Sequence, residues 1–374
     1  LQVSDRHYQL ILSPDINQPR PRYQWFYFEL SNNEADVNYT FEIINYSKGT
    51  SMFSHGMQPV MFSVTEAVRG KPAWKRAGSS ISYCRNTFCR NDFKDHTDTR
   101  HALFFVSVYG SVRAPCRCVL YSISFSLHAT LERHLTTRKR RLFVRCDKLC
   151  TTLAGNEVPL LTITASGTRE QIEARQIAVL CARVHPGESN SSWVMHGVID
   201  VLMSEEDKAV HLRNQYVFKI IPMLNIDGVV NGSHRCSLAG VDLNRTWDRP
   251  SPELHPPIFH TKAIVQYMVD VLGKKPFVFI DLHGHSQHFN ECDYFSLSNC
   301  RFSITREKES SGRVTLWRQF GVTRSYTIES TYAGFNTGPR KGFQVNIEDL
   351  LEIGNQLCKA LKQLMYIGAN WSLV

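Results

Sequence analysis

Residues 182–193 read ARVHPGESNSSW and place His185 three residues before Glu188 on a Pro-Gly turn. The turn follows the apolar run at residues 177–180, which is typical of a buried strand. A neutral imidazole and a hard carboxylate are two ligands that a catalytic zinc commonly takes, with a third from far along the chain and one position left open. His-x-x-Glu also occurs by chance in many proteins, so the pair indicates a metal site only if a third ligand exists.

The composition is that of a globular protein long enough for two domains, with 374 residues, 43% of them hydrophobic and 21% charged. No apolar run approaches the ~20 residues that a membrane helix needs, and the N-terminal LQVSDRHYQL lacks the order of a secretory signal. The 11 cysteines are scattered without paired spacing, which favours reduced thiols. We therefore expect a cytosolic protein without a membrane partner. The sequence does not indicate an oligomeric state.

The net charge of +9 and the sequence pI near 9.0 predict an acidic partner. The densest basic cluster, residues 138–141, lacks the interleaved aromatic residues of a single-strand binding surface, and a solvated helix end explains it. We therefore do not expect nucleic acid as the partner. An acidic peptide is the alternative.

The sequence pattern changes along the chain and predicts two domains. Residues 8–62 alternate apolar and polar positions in short runs such as YQWFYFEL and YTFEIINY, as in an antiparallel sheet, whereas the polar residues 71–99 predict a loop. After a charged helical stretch at residues 129–141, strand-like runs alternate with amphipathic stretches, and residues 347–365 predict a closing helix. We predict an N-terminal β-sandwich-like domain over residues 1–127. An α/β domain with a mixed, largely parallel central sheet flanked by helices follows over residues 128–374.

A third metal ligand is found in the strand-like run FVFIDLHGH at residues 277–285. The carboxyl ends of parallel strands share one edge of a sheet, so His283 could meet the first pair of ligands. Asp281, two residues earlier, lies on the same side of the strand and could orient an imidazole. His285 is the competing ligand.

The loop at residues 225–247, NIDGVVNGSHRCSLAGVDLNRTW, carries Arg235, Asp242, Asn244 and Arg245 between several glycines. Arginine offers a forked, permanently charged donor for a carboxylate, and asparagine adds a neutral donor. A surface loop would explain any one of these residues, but the set favours a substrate platform. Glu329, near the end of the strand-like SYTIES, could supply the base that zinc-dependent hydrolysis needs in addition to the ligands.

Together, HPGES with Trp193, the loop from Asn225 to Arg245, DLHGHS and SYTIES resemble the zinc metallocarboxypeptidase family. Within it, QWFYFEL is similar to the extra N-terminal domain of the cytosolic carboxypeptidases, which trim glutamates from tubulin and other acidic tails. The resemblance implies one zinc per chain, held by His185, Glu188 and His283. It also implies further roles: Arg235 polarises the scissile carbonyl, Asn244 and Arg245 hold the terminal carboxylate, Glu329 is the base, and Arg313 faces the side chain of the departing glutamate.

Three departures accompany this resemblance. Ile226 replaces the proline of the family's NPDG turn, and CRCVLYSISFSLH, at residues 116–128, replaces its tyrosine-rich segment. The stretch from His283 to Glu329 is also shorter than the family pattern leads us to expect. We assign no residue to the family's mobile tyrosine. Two alternatives follow: a related zinc amidohydrolase of acyl-amino acids, which Asn244 and Arg245 argue against, and an inactive protein that binds microtubules.

Overall fold

The computed structural model describes residues 1–18, 21, 23–24, 26–31, 33–34, 36–46, 48–86, 101–108, 118–119, 142–285, 300–335 and 340–370. The chain divides into two compact units, Leu1–Ser122 and Ile123–Val374. The predicted domain boundary after residue 127 and the predicted helical stretch at residues 129–141 lie outside the described residues. Within the described part, no helix combines the length and the apolar character needed to span a membrane.

The first unit is built mainly of short strands. They are β1 (Gln2–Ser4), β2 (His7–Leu10), β3 (Asn38–Tyr46), β4 (Val60–Ser63), β5 (Trp74–Arg76), β6 (Ser79–Arg85), β7 (His101–Val108) and β8 (Cys118–Val119), with helix α1 (Val64–Val68) and a 3-10 turn at Met52–His55. One sheet has the order β1-β2-β3-β7-β6 and the other β5-β4-β8. Neighbouring strands are antiparallel except for β2 and β3, which are parallel.

Two local predictions for this unit are wrong. The described residues of the aromatic run 23–30 belong to no named strand, and Phe26 and Phe28 instead pack against the core around Phe41. Residues 71–99, predicted as a loop, contain β5 and β6. Strand β6 is polar because it lies at the edge of its sheet and is largely exposed, so composition alone did not reveal it.

The second unit has the mixed sheet that the sequence predicts. Its strands are β9 (Val144–Thr151), β10 (Glu157–Ile163), β11 (Gln176–Ala182), β12 (Tyr216–Ile221), β13 (Val278–His285) and β14 (Ser325–Thr331). Its helices are α2 (Arg169–Ala174), α3 (Ser189–Leu202), α4 (Asp207–Gln215), α5 (Ile226–Val230), α6 (Pro256–Asp270), α7 (Gly312–Phe320) and α8 (Ile347–Asn370). The order is β14-β13-β11-β12-β10-β9, with parallel pairs from β14 to β12 and antiparallel pairs from β12 to β9.

Each face of this sheet is covered by helices, because side chains alternate along each strand. On β11, Ala178 and Leu180 pack into one core with residues of α3 and α8. Val179 and Cys181 point into the opposite core with residues of α6 and α7. The almost continuous apolar sequence of β11 is therefore that of a strand buried on both faces.

Two glycines bring α3 and α8 into close contact. A Cβ atom at Gly197 would lie 2.8 Å from the Cα of Leu351, and one at Gly354 would lie 2.7 Å from the nitrogen of Val198. Real Cβ atoms do not approach other heavy atoms so closely. Helix α3 is thus fixed against the closing helix α8.

Candidate metal centre and active site

Three buried side chains, His185, Glu188 and His283, form a group whose ligand atoms all lie within 4.8 Å of one another. The first two come from the turn between β11 and α3, and His283 comes from the carboxyl end of β13. The Nδ1 atom of His185 lies 2.7 Å from Glu188 Oε1, and the Nδ1 atom of His283 lies 2.9 Å from Glu188 Oε2. His285, the competing candidate, is not a member of this group.

Carboxylates also face the second nitrogen of each imidazole. His185 Nε2 is 2.9 Å from Asp242 Oδ1, and His283 Nε2 is 2.7 Å from Asp281 Oδ2. A neutral imidazole has a single N–H group. If that group donates to the outer carboxylate through Nε2, then Nδ1 has no hydrogen to donate to Glu188. The short distances therefore require either protonated imidazoles or a cation between the two imidazoles and Glu188. Two imidazole nitrogens and one carboxylate are a zinc donor set, and the outer carboxylates select the tautomer that leaves Nδ1 for a metal. The residues therefore fit zinc.

The charges of this group shift the pKa values of its members. Burial opposes a charged imidazole, but Glu188 and Asp242 outweigh it and raise the pKa of His185. Burial is likewise outweighed by Asp281 and Glu188, which hold the pKa of His283 well above its ordinary value. Burial would raise the pKa of Glu188, yet the two imidazoles hold it well below its usual range. Zinc must therefore compete with protons for the imidazoles.

Glu329 lies next to the candidate ligands, because the register of β13 and β14 pairs its Cα with that of His283. Glu329 is exposed to solvent by surface area, although many protein atoms lie around its carboxyl group. Desolvation raises the pKa of Glu329 to about 7; His283 and His185 act in the opposite direction, and the Glu188 carboxylate supports the rise. A carboxyl group with a pKa near neutrality can both accept and return a proton.

The loop between α5 and α6 is tied to the metal group through Asp242. Its Oδ2 accepts hydrogen bonds from Arg235, at 2.8 Å from Nε and 2.7 Å from Nη2, while its Oδ1 faces His185. Burial would raise the pKa of Asp242, but His185, Arg235 and Arg245 together hold it well below its usual range. The sequence pattern placed Asp242 in the predicted substrate platform but did not indicate its contact with His185. Its position two residues before Asn244 was the only feature of the sequence that pointed to a place near the site.

Asn244 connects the same loop to α7 and to His283. Its Nδ2 atom is 3.4 Å from His283 Nε2, and its Oδ1 accepts a hydrogen bond of 3.0 Å from Gly312 N. A Cβ atom at Gly312 would lie 2.9 Å from the ring of Trp247, so glycine permits this approach. Asn244 is therefore fixed from both sides.

The two arginines that the resemblance assigns to substrate binding are both half-buried. Arg245 Nη1 donates to the carbonyl oxygen of Asn244 at 2.9 Å, and among the described residues no carboxylate lies within ion-pair distance of Arg245. Arg313 follows Gly312 in the first turn of α7, and its carbonyl oxygen accepts a hydrogen bond from Ser325 at 2.8 Å. Residues 286–299, which form part of the shortened segment between His283 and Arg313, lie outside the described residues.

Comparison with known proteins agrees with this geometry. A family model described as zinc carboxypeptidase matches residues 133–308, a range that includes the three candidate ligands. The matched part of the chain belongs to the zinc carboxypeptidase family. Seven cysteines whose side chains the structure describes are free thiols.

Among curated proteins, the chain is similar to several cytosolic carboxypeptidases. It is 41% identical to cytosolic carboxypeptidase 1 of Danio rerio, over 97% of this chain and 36% of the relative. For cytosolic carboxypeptidase 1 of Homo sapiens the identity is 39%, over 97% of this chain and 34% of the relative. For cytosolic carboxypeptidase 4 of Mus musculus the identity is 39%, over 100% of this chain and 38% of the relative. The chain spans little more than a third of the length of these curated relatives.

Solved structures show the same fold at much lower identity. A metallo-carboxypeptidase from Burkholderia cenocepacia has a TM-score of 0.70 and 17% identity, covering 96% of this chain and 93% of that one. A metallo-carboxypeptidase from Pseudomonas aeruginosa, in complex with (2-guanidinoethylmercapto)succinic acid, has a TM-score of 0.69 and 20% identity over 97% and 95%. The predicted fold class, a zinc carboxypeptidase fold with an N-terminal antiparallel sheet, is confirmed.

Proposed function

We propose that this chain forms the catalytic part of a zinc metallocarboxypeptidase that removes C-terminal or side-chain-branched glutamates from acidic protein tails. One observation carries the proposal. The group of His185, Glu188 and His283 lies at the strand ends beside Glu329, and Asp242 links it to the loop of Arg235, Asn244 and Arg245. A nucleophile, a base and a binding site for a carboxylate are the requirements of a carboxypeptidase.

In this proposal His185, Glu188 and His283 hold one zinc ion. When bound, zinc supplies a Lewis acid that activates water and polarises the substrate carbonyl. The protein fixes the ligands beforehand. Asp242 and Asp281 orient the two imidazoles, and the backbone nitrogen of Gly284 donates to Glu188 at 3.0 Å.

Glu329 is proposed to move the proton. Its pKa near neutrality allows the carboxylate to take a proton from the attacking water and to return it to the departing amine. Its place opposite His283 on the neighbouring strand keeps it beside the ligand group without being one of the three candidate ligands.

The arginines are proposed to bind and polarise the substrate. Arg235, held by Asp242, would stabilise negative charge that develops on the scissile carbonyl oxygen. Arg245 and Asn244 would hold the terminal carboxylate, because the Arg245 guanidinium forms no ion pair with a carboxylate in the described part of the chain and is suited to an anionic group. Arg313 would face the side chain of the departing glutamate.

The proposed partners are polyglutamylated protein tails, with tubulin and microtubules as the leading example. The net charge of +9 supports an acidic partner through long-range attraction. Proteins with this similarity are named cytosolic carboxypeptidases, which supports a cytosolic location for this chain. Neither nucleic acid nor a membrane is part of the proposal.

The test is release of glutamate from a polyglutamylated peptide by the purified, zinc-loaded chain. We expect free glutamate from the wild type and at least a 100-fold lower rate from Glu329→Gln, which keeps the size of the side chain and removes the base. Glu348→Gln, an exposed change on α8, is the matched control and should be as active as wild type. A wild-type chain that holds zinc but releases no glutamate, while a homologue does, would contradict the proposal.

Two further measurements separate the alternatives. Blocking the peptide's terminal carboxylates as amides should abolish cleavage by a carboxypeptidase, and N-acetylglutamate should not be hydrolysed. Cleavage of N-acetylglutamate would instead favour the acyl-amino acid hydrolase. Microtubule co-sedimentation without glutamate release would favour the inactive binding protein.

A further inference from the structure

Two side chains hold the main chain of the ligand turn, residues 185–188. Arg183 Nε donates to the carbonyl oxygen of Pro186 at 2.6 Å, and the Tyr332 hydroxyl donates to the carbonyl oxygen of Gly187 at 2.8 Å. These consecutive carbonyls lie between the two candidate ligands of the turn. We call Arg183 and Tyr332 the turn brace.

The burial and the backbone conformation of Arg183 are both energetically unfavourable, which indicates that its side chain has a specific role. Its side chain is completely buried, and its φ of 58° lies in the left-handed region that residues other than glycine seldom adopt. Burial lowers the pKa of Arg183 to about 10, so the group remains a cation at neutral pH. Its Nη1 atom also donates to Ser192 Oγ at 2.9 Å, which ties the turn to the first helical turn of α3.

Tyr332 connects the turn to the strand that carries the proposed base. It follows Glu329 by three residues, immediately after the end of β14. Its backbone nitrogen donates to the carbonyl oxygen of His285, the last residue of β13, at 3.1 Å. The hydroxyl bond to Gly187 therefore joins the end of the β13–β14 pair to the turn after β11.

We propose that Arg183 and Tyr332 are positioning residues that fix the ligand turn relative to the Glu329 strand. The inference rests on the proposed assignment of His185, Glu188 and His283 as zinc ligands. Small displacements of such groups reduce metal affinity and turnover, because ligand distances and the position of the base must both be correct.

The chain provides a matched control for a purely structural hydrogen bond. The Tyr216 hydroxyl donates to the carbonyl oxygen of Leu361 at 2.9 Å, and both tyrosines belong to the same unit. Tyr216 begins β12 and pairs with Gln176 at the start of β11, so six residues of strand, or about 20 Å, separate it from the ligand turn. Replacing either tyrosine by phenylalanine removes one hydroxyl and one bond to a main-chain carbonyl.

The experiment measures zinc affinity by competition with a chromophoric chelator, together with melting temperature and steady-state kinetics on a glutamate-terminated peptide. We expect Tyr332→Phe to weaken zinc binding about 10-fold and to lower kcat, with KM changed less than about twofold. Tyr216→Phe should lower the melting temperature and leave zinc affinity within about twofold. Equal zinc affinities for wild type and Tyr332→Phe, or equal losses in both variants, would overturn the proposal.

Arg183→Lys tests the other half of the turn brace. Lysine keeps the positive charge but cannot donate from two fixed nitrogens to Pro186 and Ser192. We expect Arg183→Lys to bind zinc more weakly than wild type. In the double variant with Tyr332→Phe, the fold-loss of zinc affinity should be smaller than the product of the fold-losses in the two single variants. If Arg183→Lys does not fold, Tyr332→Phe alone decides. A wild-type chain that binds zinc without releasing glutamate would contradict the proposed function only, since zinc affinities still test the turn brace.

Discussion

At the scale of single residues, the chemistry of the site depends on which carboxylate faces which cation. Asp242 contacts both His185 and Arg235, whereas Arg245 has no carboxylate within ion-pair distance among the described residues. An arginine neutralised by a carboxylate and one that is not should serve different purposes. The proposed roles of Arg235 and Arg245 follow this difference.

Arg235→Ala and Arg245→Ala should therefore affect different kinetic constants. Losing a donor to the developing charge typically costs about 100- to 1,000-fold in turnover, so we expect Arg235→Ala to lower kcat with a small change in KM. Losing a charge-assisted bond to the terminal carboxylate should raise KM about 10- to 100-fold in Arg245→Ala. Steady-state kinetics test this, with exposed Arg249→Ala as the control. The reverse pattern would show that the roles are exchanged.

The raised pKa values of His185 and His283 predict that zinc binding depends on pH. The neighbouring carboxylates favour the protonated form of both imidazoles, so zinc must compete with protons for them. Apparent zinc affinity should then increase as pH rises from 6 towards the raised pKa values, and proton release should decrease over the same range.

Calorimetry in buffers of different ionisation enthalpy measures the protons released per zinc. Asp281→Asn removes a carboxylate that raises the pKa of His283 and should reduce proton release at pH 7. Proton release that is equal at pH 6 and pH 9 would contradict the prediction.

At the scale of secondary-structure elements, the site depends on three parallel strands that end at one edge. β11, β13 and β14 carry the ligand turn, His283 and Glu329, and their order in the sheet makes β13 the neighbour of both others. The sequence predicted each strand: apolar runs that end in turns with glycine or proline indicated β11 and β13, and the short pattern SYTIES indicated β14. It did not predict that the aromatic run 23–30 lies outside the named strands, since aromatic side chains can pack on a core without a regular strand.

The contact between α3 and α8 should be sensitive to a single methyl group. Gly197→Ala would gain about 1 kcal/mol of helix propensity, but its Cβ would overlap the backbone of Leu351. We expect a net loss of about 1–3 kcal/mol in the free energy of unfolding, measured in urea. Lys359→Ala, an exposed change on α8, should have little effect. An unchanged or higher stability of Gly197→Ala would show that the helices can separate without cost.

At the scale of the whole molecule, zinc should contribute to stability because its proposed ligands come from segments that are far apart in sequence. A ligand that binds only the folded state at 1,000 times its Kd stabilises that state by about 4 kcal/mol. For a unit of this size, we expect the melting temperature to rise by about 8–16 °C with zinc. Calorimetry with and without a chelator measures the shift. Glu188→Gln should reduce it strongly, and a full shift in that variant would exclude Glu188 as a ligand.

The sequence alone determined the types of most elements in the second unit, the family and the identity of the candidate ligands. It could do so because period, turn residues and short motifs are local properties of the chain. Only the tertiary structure revealed the Asp242 link between His185 and Arg235, the edge strand β6, and the turn brace of Arg183 and Tyr332. The Asp242 link and the Tyr332 bond join residues tens of positions or more apart, and β6 owes its place to pairing with β7. No local pattern encodes such contacts, because they depend on which strands and loops become neighbours when the chain folds.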